Sequence, residues 1–162
     1  MKPRMNHMII RKPSHWEKLL AIVVGLSLGI LISTTANADL DKAIAYAEAG
    51  EIDNAHKELL LIVEAAETGN PKALYEFGVM YKTEGYWIVQ SDESAVENWL
   101  ESAKLGYAPA QFVLGASYII GSGVEKDLSQ AKYWLQQAID GTNVRYSNDA
   151  KTIYNLNNLD QY

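Results

Sequence analysis

The feature that most constrains this chain is a phrase that it uses twice. Gly69-Asn-Pro-Lys-Ala73-Leu-Tyr-Glu-Phe-Gly78-Val-Met-Tyr81 returns as Gly106-Tyr-Ala-Pro-Ala110-Gln-Phe-Val-Leu-Gly115-Ala-Ser-Tyr118, 37 positions later. A second phrase, Trp99-Leu-Glu-Ser-Ala103, returns as Trp134-Leu-Gln-Gln-Ala138, 35 positions later, and each copy runs into a glycine, Gly106 or Gly141. Helix-forming segments repeated at such a period stack as a solenoid, because one unit alone cannot bury its apolar face. The expected fold class is therefore all-α, an α-solenoid of antiparallel helix pairs.

Start and stop signals divide the chain into helices. Asp41 to Ala49 is a short alanine-rich helix stopped by Gly50, and Ile52 to Glu67 is a second, with Ala55, Leu59, Ile62, Val63 and Ala66 on one side at helical spacing. Gly69 reads as a left-handed cap, and Asn70-Pro71 supplies an N-cap and a first-turn proline for a third helix ending near Lys82. Asp92 to Leu105 and Ala108 to Ile120 follow, separated by Gly106. Asp127 caps a sixth helix, with Gln130 at the reciprocal capping-box position, and Gly141 ends it. Ser147 is placed to cap a closing helix that reaches about Asn158, with Ala150, Ile153, Tyr154 and Leu156 as its apolar face. The units are about 41–69, 70–106 and 107–141, with the closing helix over 147–158.

The recurring residues serve packing. Ala73 and Ala110, Gly78 and Gly115 are small, which lets neighbouring helices approach where a larger side chain would hold them apart. Phe77 with Leu114, and Tyr81 with Tyr118, continue the buried stripe; Trp99 with Trp134, and Ala103 with Ala138, form the facing one.

Residues 1–38 have another character. Lys2, Arg4, Arg11, Lys12 and Lys18 form a basic leader with Glu17 its one acid; an apolar run over Leu19 to Ile32 and then Ala36-Asn-Ala38 complete the layout of a secretory signal peptide, cleaved after Ala38. The other reading is an inner-membrane anchor through 19–32, although that run is shorter than the roughly 20 residues a span requires. In both readings 39–162 faces out of the cytoplasm, in the periplasm or secreted. The full chain carries 14 basic and 20 acidic residues; without the leader's 5 and 1, 9 and 19 remain, a net charge of −10. So acidic a domain repels phosphate backbones, which argues against nucleic acid as a partner. Cysteine is absent, so the fold rests on packing without disulfides.

Nothing in the sequence assembles an enzyme, a metal site or a cofactor site. His56 is the one histidine after the leader, and Gly121-Ser-Gly123 lacks the Gly-x-Ser-x-Gly of a nucleophile elbow. Phosphate-binding and dinucleotide fingerprints are missing too.

The segments Gly121-Ser-Gly-Val-Glu-Lys-Asp127, Ala131-Lys-Tyr-Trp134-Leu-Gln-Gln-Ala138 and Ala110-x-x-x-Leu-Gly-x-x-Tyr118 resemble the Sel1-like repeat, a relative of the tetratricopeptide repeat. The likeness covers about Ile52 to Gly141 and weakens before Gly69. It implies a right-handed superhelix of helix pairs that serves as an adaptor for protein complexes, with exported bacterial members among the family. A cysteine-rich subgroup is linked to β-lactams, but this chain has none of those cysteines. The function expected is an exported scaffold for a protein partner. The alternatives are a periplasmic regulator restraining a membrane signalling or polysaccharide system, and a β-lactam- or peptidoglycan-related hydrolase. On such a superhelix the concave surface would be lined by Tyr75, Glu76, Val79, Phe112, Val113 and Ala116. A second candidate is the loop with Tyr86 and Trp87, residue types that dominate interface hot spots. Folding of that loop back over the helix ends, to shield the core, is the competing reading.

Overall fold

The computed structural model describes residues 39–84 and 88–162. The leader, and with it the expected cleavage site, lies outside the described residues, as do Tyr86 and Trp87. Among the described residues there are seven α-helices and no strand: α1 (Leu40–Glu48), α2 (Ile52–Glu67), α3 (Pro71–Lys82), α4 (Asp92–Lys104), α5 (Ala108–Ile120), α6 (Leu128–Asp140) and α7 (Val144–Leu156). A 3-10 turn, Leu159–Gln161, follows. Each helix packs on its neighbours in sequence, α3 with α4 and α5 with α6 most extensively, and α7 also reaches α5.

Capping explains most of the boundaries. Asp39, Asn70, Ser91, Asp127 and Asn143 each accept a backbone N–H of the helix they precede. Gly50, Gly69, Gly106 and Gly121 have φ between 74° and 83°, so the chain reverses there at little steric cost. One helix start differs from its sequence reading by more than one residue. The last one starts at Val144 with Asn143 as its cap, and Ser147 lies inside it, donating its hydroxyl to the Ile139 carbonyl at 2.7 Å. Asn and Ser are equally good caps, so local chemistry alone did not choose between them. Ala150 and Tyr154 are buried and Ile153 half-buried, whereas Leu156 is exposed; Leu159, from the 3-10 turn, is fully buried against the α6–α7 core instead. The reciprocal Gln130 bond is replaced as well: the Asp127 N–H goes to the Tyr118 carbonyl at 3.0 Å.

That bond has a counterpart, Ser91 N–H to the Tyr81 carbonyl at 3.1 Å. The α3–α4 loop (83–91) and the shorter α5–α6 loop (121–127) are thus closed in the same way. The shorter loop also reaches back across the repeat boundary. Ser122 donates to Asp92 Oδ2 at 2.7 Å, and Lys82 reaches the same oxygen at 2.6 Å. Gly123, at φ 70°, lies so close to the Asp92 carbonyl that a Cβ would overlap it. The Gly-Ser-Gly signature is therefore a latch between consecutive repeats.

Three core clusters run along the stack. One joins α1, α2 and α3; the second, around Tyr81, Trp99, Ala103, Ala110, Leu114 and Trp134, joins α3 to α6; the third joins α5, α6 and α7. Ala73 and Ala138 are buried as expected, but Phe77 and Tyr118 are only half-buried. No helix among the described residues is long and apolar enough to cross a membrane.

Candidate functional site

The first helices of the pairs, α3 and α5, together with α7, share a row of aromatic side chains near their N-termini. Tyr75 in α3 and Tyr107, the N-cap residue of α5, have ring centroids 5.5 Å apart, tilted by 59°. Phe112 in α5 and Tyr146 in α7 are 5.9 Å apart, tilted by 56°. All four rings are half-buried. Burial, then Tyr146 and Tyr107, push the Tyr75 hydroxyl up to about 12, so the hydroxyls of three successive units lie within each other's field. Tilted ring pairs at this spacing contribute about 0.5–1.5 kcal/mol beyond their burial.

Of the six residues expected on this surface, Tyr75 and Phe112 belong to the aromatic row. Val79 and Val113 are half-buried and pack against the central core, and Ala116 is half-buried beside them. Glu76 behaves differently: it is buried, at 7 % exposure, and does not present its carboxylate to solvent. Helix phase explains this, because Glu76 follows Tyr75 by one residue and so points about 100° away, towards α1. There Lys72 lies 3.4 Å from Glu76 Oε1 and bridges to Asp39 at 2.6 Å.

Sequence reasoning missed Tyr107 and Tyr146. Tyr107 sits in the tight link after Gly106, and Tyr146 lies just before Ser147, the expected start of the closing helix. A signal for both existed: each tyrosine sits at the start of a helix, Tyr107 as the N-cap of α5 and Tyr146 in the first turn of α7. Leu100, Lys104, Tyr118 and Trp134 wall a recess of about 660 Å³ of mixed polarity. Among the described residues no group of His, Asp and Glu is arranged to hold a metal ion.

The Sel1 repeat family model matches residues 71–107 and 108–143. Among solved structures, a Sel1 repeat protein from Oxalobacter formigenes is 27% identical, covering 64% of this chain and 41% of its own, with a TM-score of 0.56. The protein c5321, titled a protective antigen present in uropathogenic Escherichia coli strains displaying an SLR fold, is 21% identical. It covers 89% of this chain and 30% of its own with a TM-score of 0.62, a likeness of fold alone. The chain thus spans less than half the length of either of these structures. No curated protein matches it in sequence.

Proposed function

For a chain built on two Sel1 repeats, a unit that generally serves protein–protein interaction, we propose an exported scaffold that captures another protein in the bacterial envelope. The observation that carries this reading is the aromatic row Tyr75–Tyr107–Phe112–Tyr146, contributed by three successive units. Rings on the first helices of a solenoid's pairs line its concave side, and half-buried aromatics suit an extended segment or an amphipathic helix. The loop at Trp87 is the second contact. Export follows from the leader, cleaved after Ala38, and it sets the domain outside the cytoplasm.

The test is capture of envelope proteins by the processed domain, identified by mass spectrometry, followed by direct titration with the partner found. Tyr75→Ala and Phe112→Ala are expected to weaken binding tenfold or more. Tyr133→Ala, an exposed ring on α6, should leave it unchanged. Trp87→Ala is expected to lower capture more than it lowers the melting temperature. Equal losses across all four variants would remove the concave row from the reading.

A further inference from the structure

Glu58 and Glu76 are the acidic side chains that are buried among the described residues, at 5 % and 7 % exposure. They come from different helices, α2 and α3, and meet at the start of α1, where Glu58 accepts from the Asp39 backbone and Glu76 from the Leu40 backbone. Glu58 Oε1 accepts the Asp39 backbone N–H at 3.2 Å, and its Oε2 pairs with Lys42 at 2.9 Å. Glu76 Oε1 faces Lys72, which holds the Asp39 carboxylate at 2.6 Å. Glu76 Oε2 is buried with no hydrogen-bond partner. Three carboxylates therefore meet two lysines, and one buried oxygen has no donor. Burial drives the Glu76 carboxyl up to about 7; Lys72 opposes the rise and the Asp39 carboxylate adds to it. Tyr107 faces the same group across the pair of repeats. An unmatched buried acceptor costs free energy unless a donor is supplied.

The sequence supplies a candidate cation next to these acids. Asp39 directly follows Ala36-Asn-Ala38. We propose that Glu58 and Glu76 form a receptor for the α-ammonium of Asp39, created when cleavage after Ala38 releases it, so that the site is completed only in the processed protein. This rests on the export reading above. In the cleavage, water adds across the Ala38–Asp39 amide. The C–N bond breaks, the water oxygen joins the Ala38 carbonyl carbon to give a carboxylate, and the nitrogen takes up protons to become –NH₃⁺. A neutral group with one proton to donate becomes a cation with three. One N–H keeps its hydrogen bond to Glu58 Oε1, and the added positive charge attracts the Glu76 carboxylate. The first residue of the processed chain is then pinned between α2 and α3.

The test uses the full chain expressed with its leader and purified after export. N-terminal sequencing establishes the first residue, and ¹³C-dimethylation of the α-amine followed by NMR titration reports its proton affinity, folded and in urea. The expected product starts at Asp39. Its amine should bind protons about tenfold more tightly when folded than in urea, where it titrates near the ordinary value of about 8. Glu58→Gln and Glu76→Gln should each remove much of that gain, and circular dichroism verifies that both variants fold. A product starting at Asp39 whose amine has the same affinity folded and unfolded overturns the receptor and leaves export standing. A product starting elsewhere overturns the processing site and the receptor with it.

Discussion

In the first repeat the Trp99 indole lies over Gly78 and donates its N–H to the Tyr75 carbonyl at 3.2 Å. In the second, Leu135 lies over Gly115, 2.6 Å from where a Cβ would stand, and the Trp134 indole N–H is buried without an acceptor. The same two phrases thus pack in registers one residue apart, which on a helix is a rotation of about 100°. The loop before α6 is two residues shorter than the loop before α4, yet both are closed by the same N–H to tyrosine carbonyl bond. What the repeat preserves is close approach at the glycine. Which side chain fills the space above it is settled by the loop.

The comparison can be broken most decisively at its two covering residues. Leu135→Ala empties a fully buried site and should cost about 2–5 kcal/mol in urea unfolding, while Leu100→Ala, at the equivalent but half-buried position, should cost about 1 kcal/mol. Equal losses would mean that the registers are the same. Next in size is the indole bond. Trp99→Phe removes a donor that has an acceptor, and Trp134→Phe removes one that has none. The first should destabilise by about 1 kcal/mol more than the second. A reversed order would show that Trp134 is the better-satisfied ring.

A further difference is electrostatic. Glu76 in the first repeat stands where the second has Val113. With its folded value raised from 4.5 to about 7, Glu76 keeps its proton in the folded state after the unfolded chain has lost it. The folded state therefore binds more protons in that window, and stability falls as pH rises from about 4.5 to about 7. A chain carrying residues before Asp39 should show this slope in its melting temperature, and Glu76→Gln should flatten it. No matching slope arises from position 113.

The helix pairs were legible in the sequence because glycines, caps and small residues recur at fixed intervals, and these are local signals. Gly69 and Gly106 do adopt the left-handed turn, and α2, α3 and α5 run over the residues expected. Identity of spacing hid the rotation of α6, since Trp134 and Leu135 are both apolar and either can face inward. Lys72, four positions before Glu76, was visible in the sequence, but the burial of Glu76 was not, because Asp39, which Lys72 also holds, is 37 positions away from Glu76. The aromatic row was half-legible. Tyr75 and Phe112 lie on helices with clear phase, whereas Tyr107 and Tyr146 sit at helix starts, where phase is least defined.

The latch of Ser122, Gly123, Lys82 and Asp92 bears on how the molecule meets a guest. It ties the α5–α6 loop to the end of α3 and the start of α4, at the opposite helix ends from the Tyr75 and Phe112 rings. On the proposed scaffold reading, a partner that already matches the spacing of the tied hairpins loses less freedom on binding than one that must bend to it.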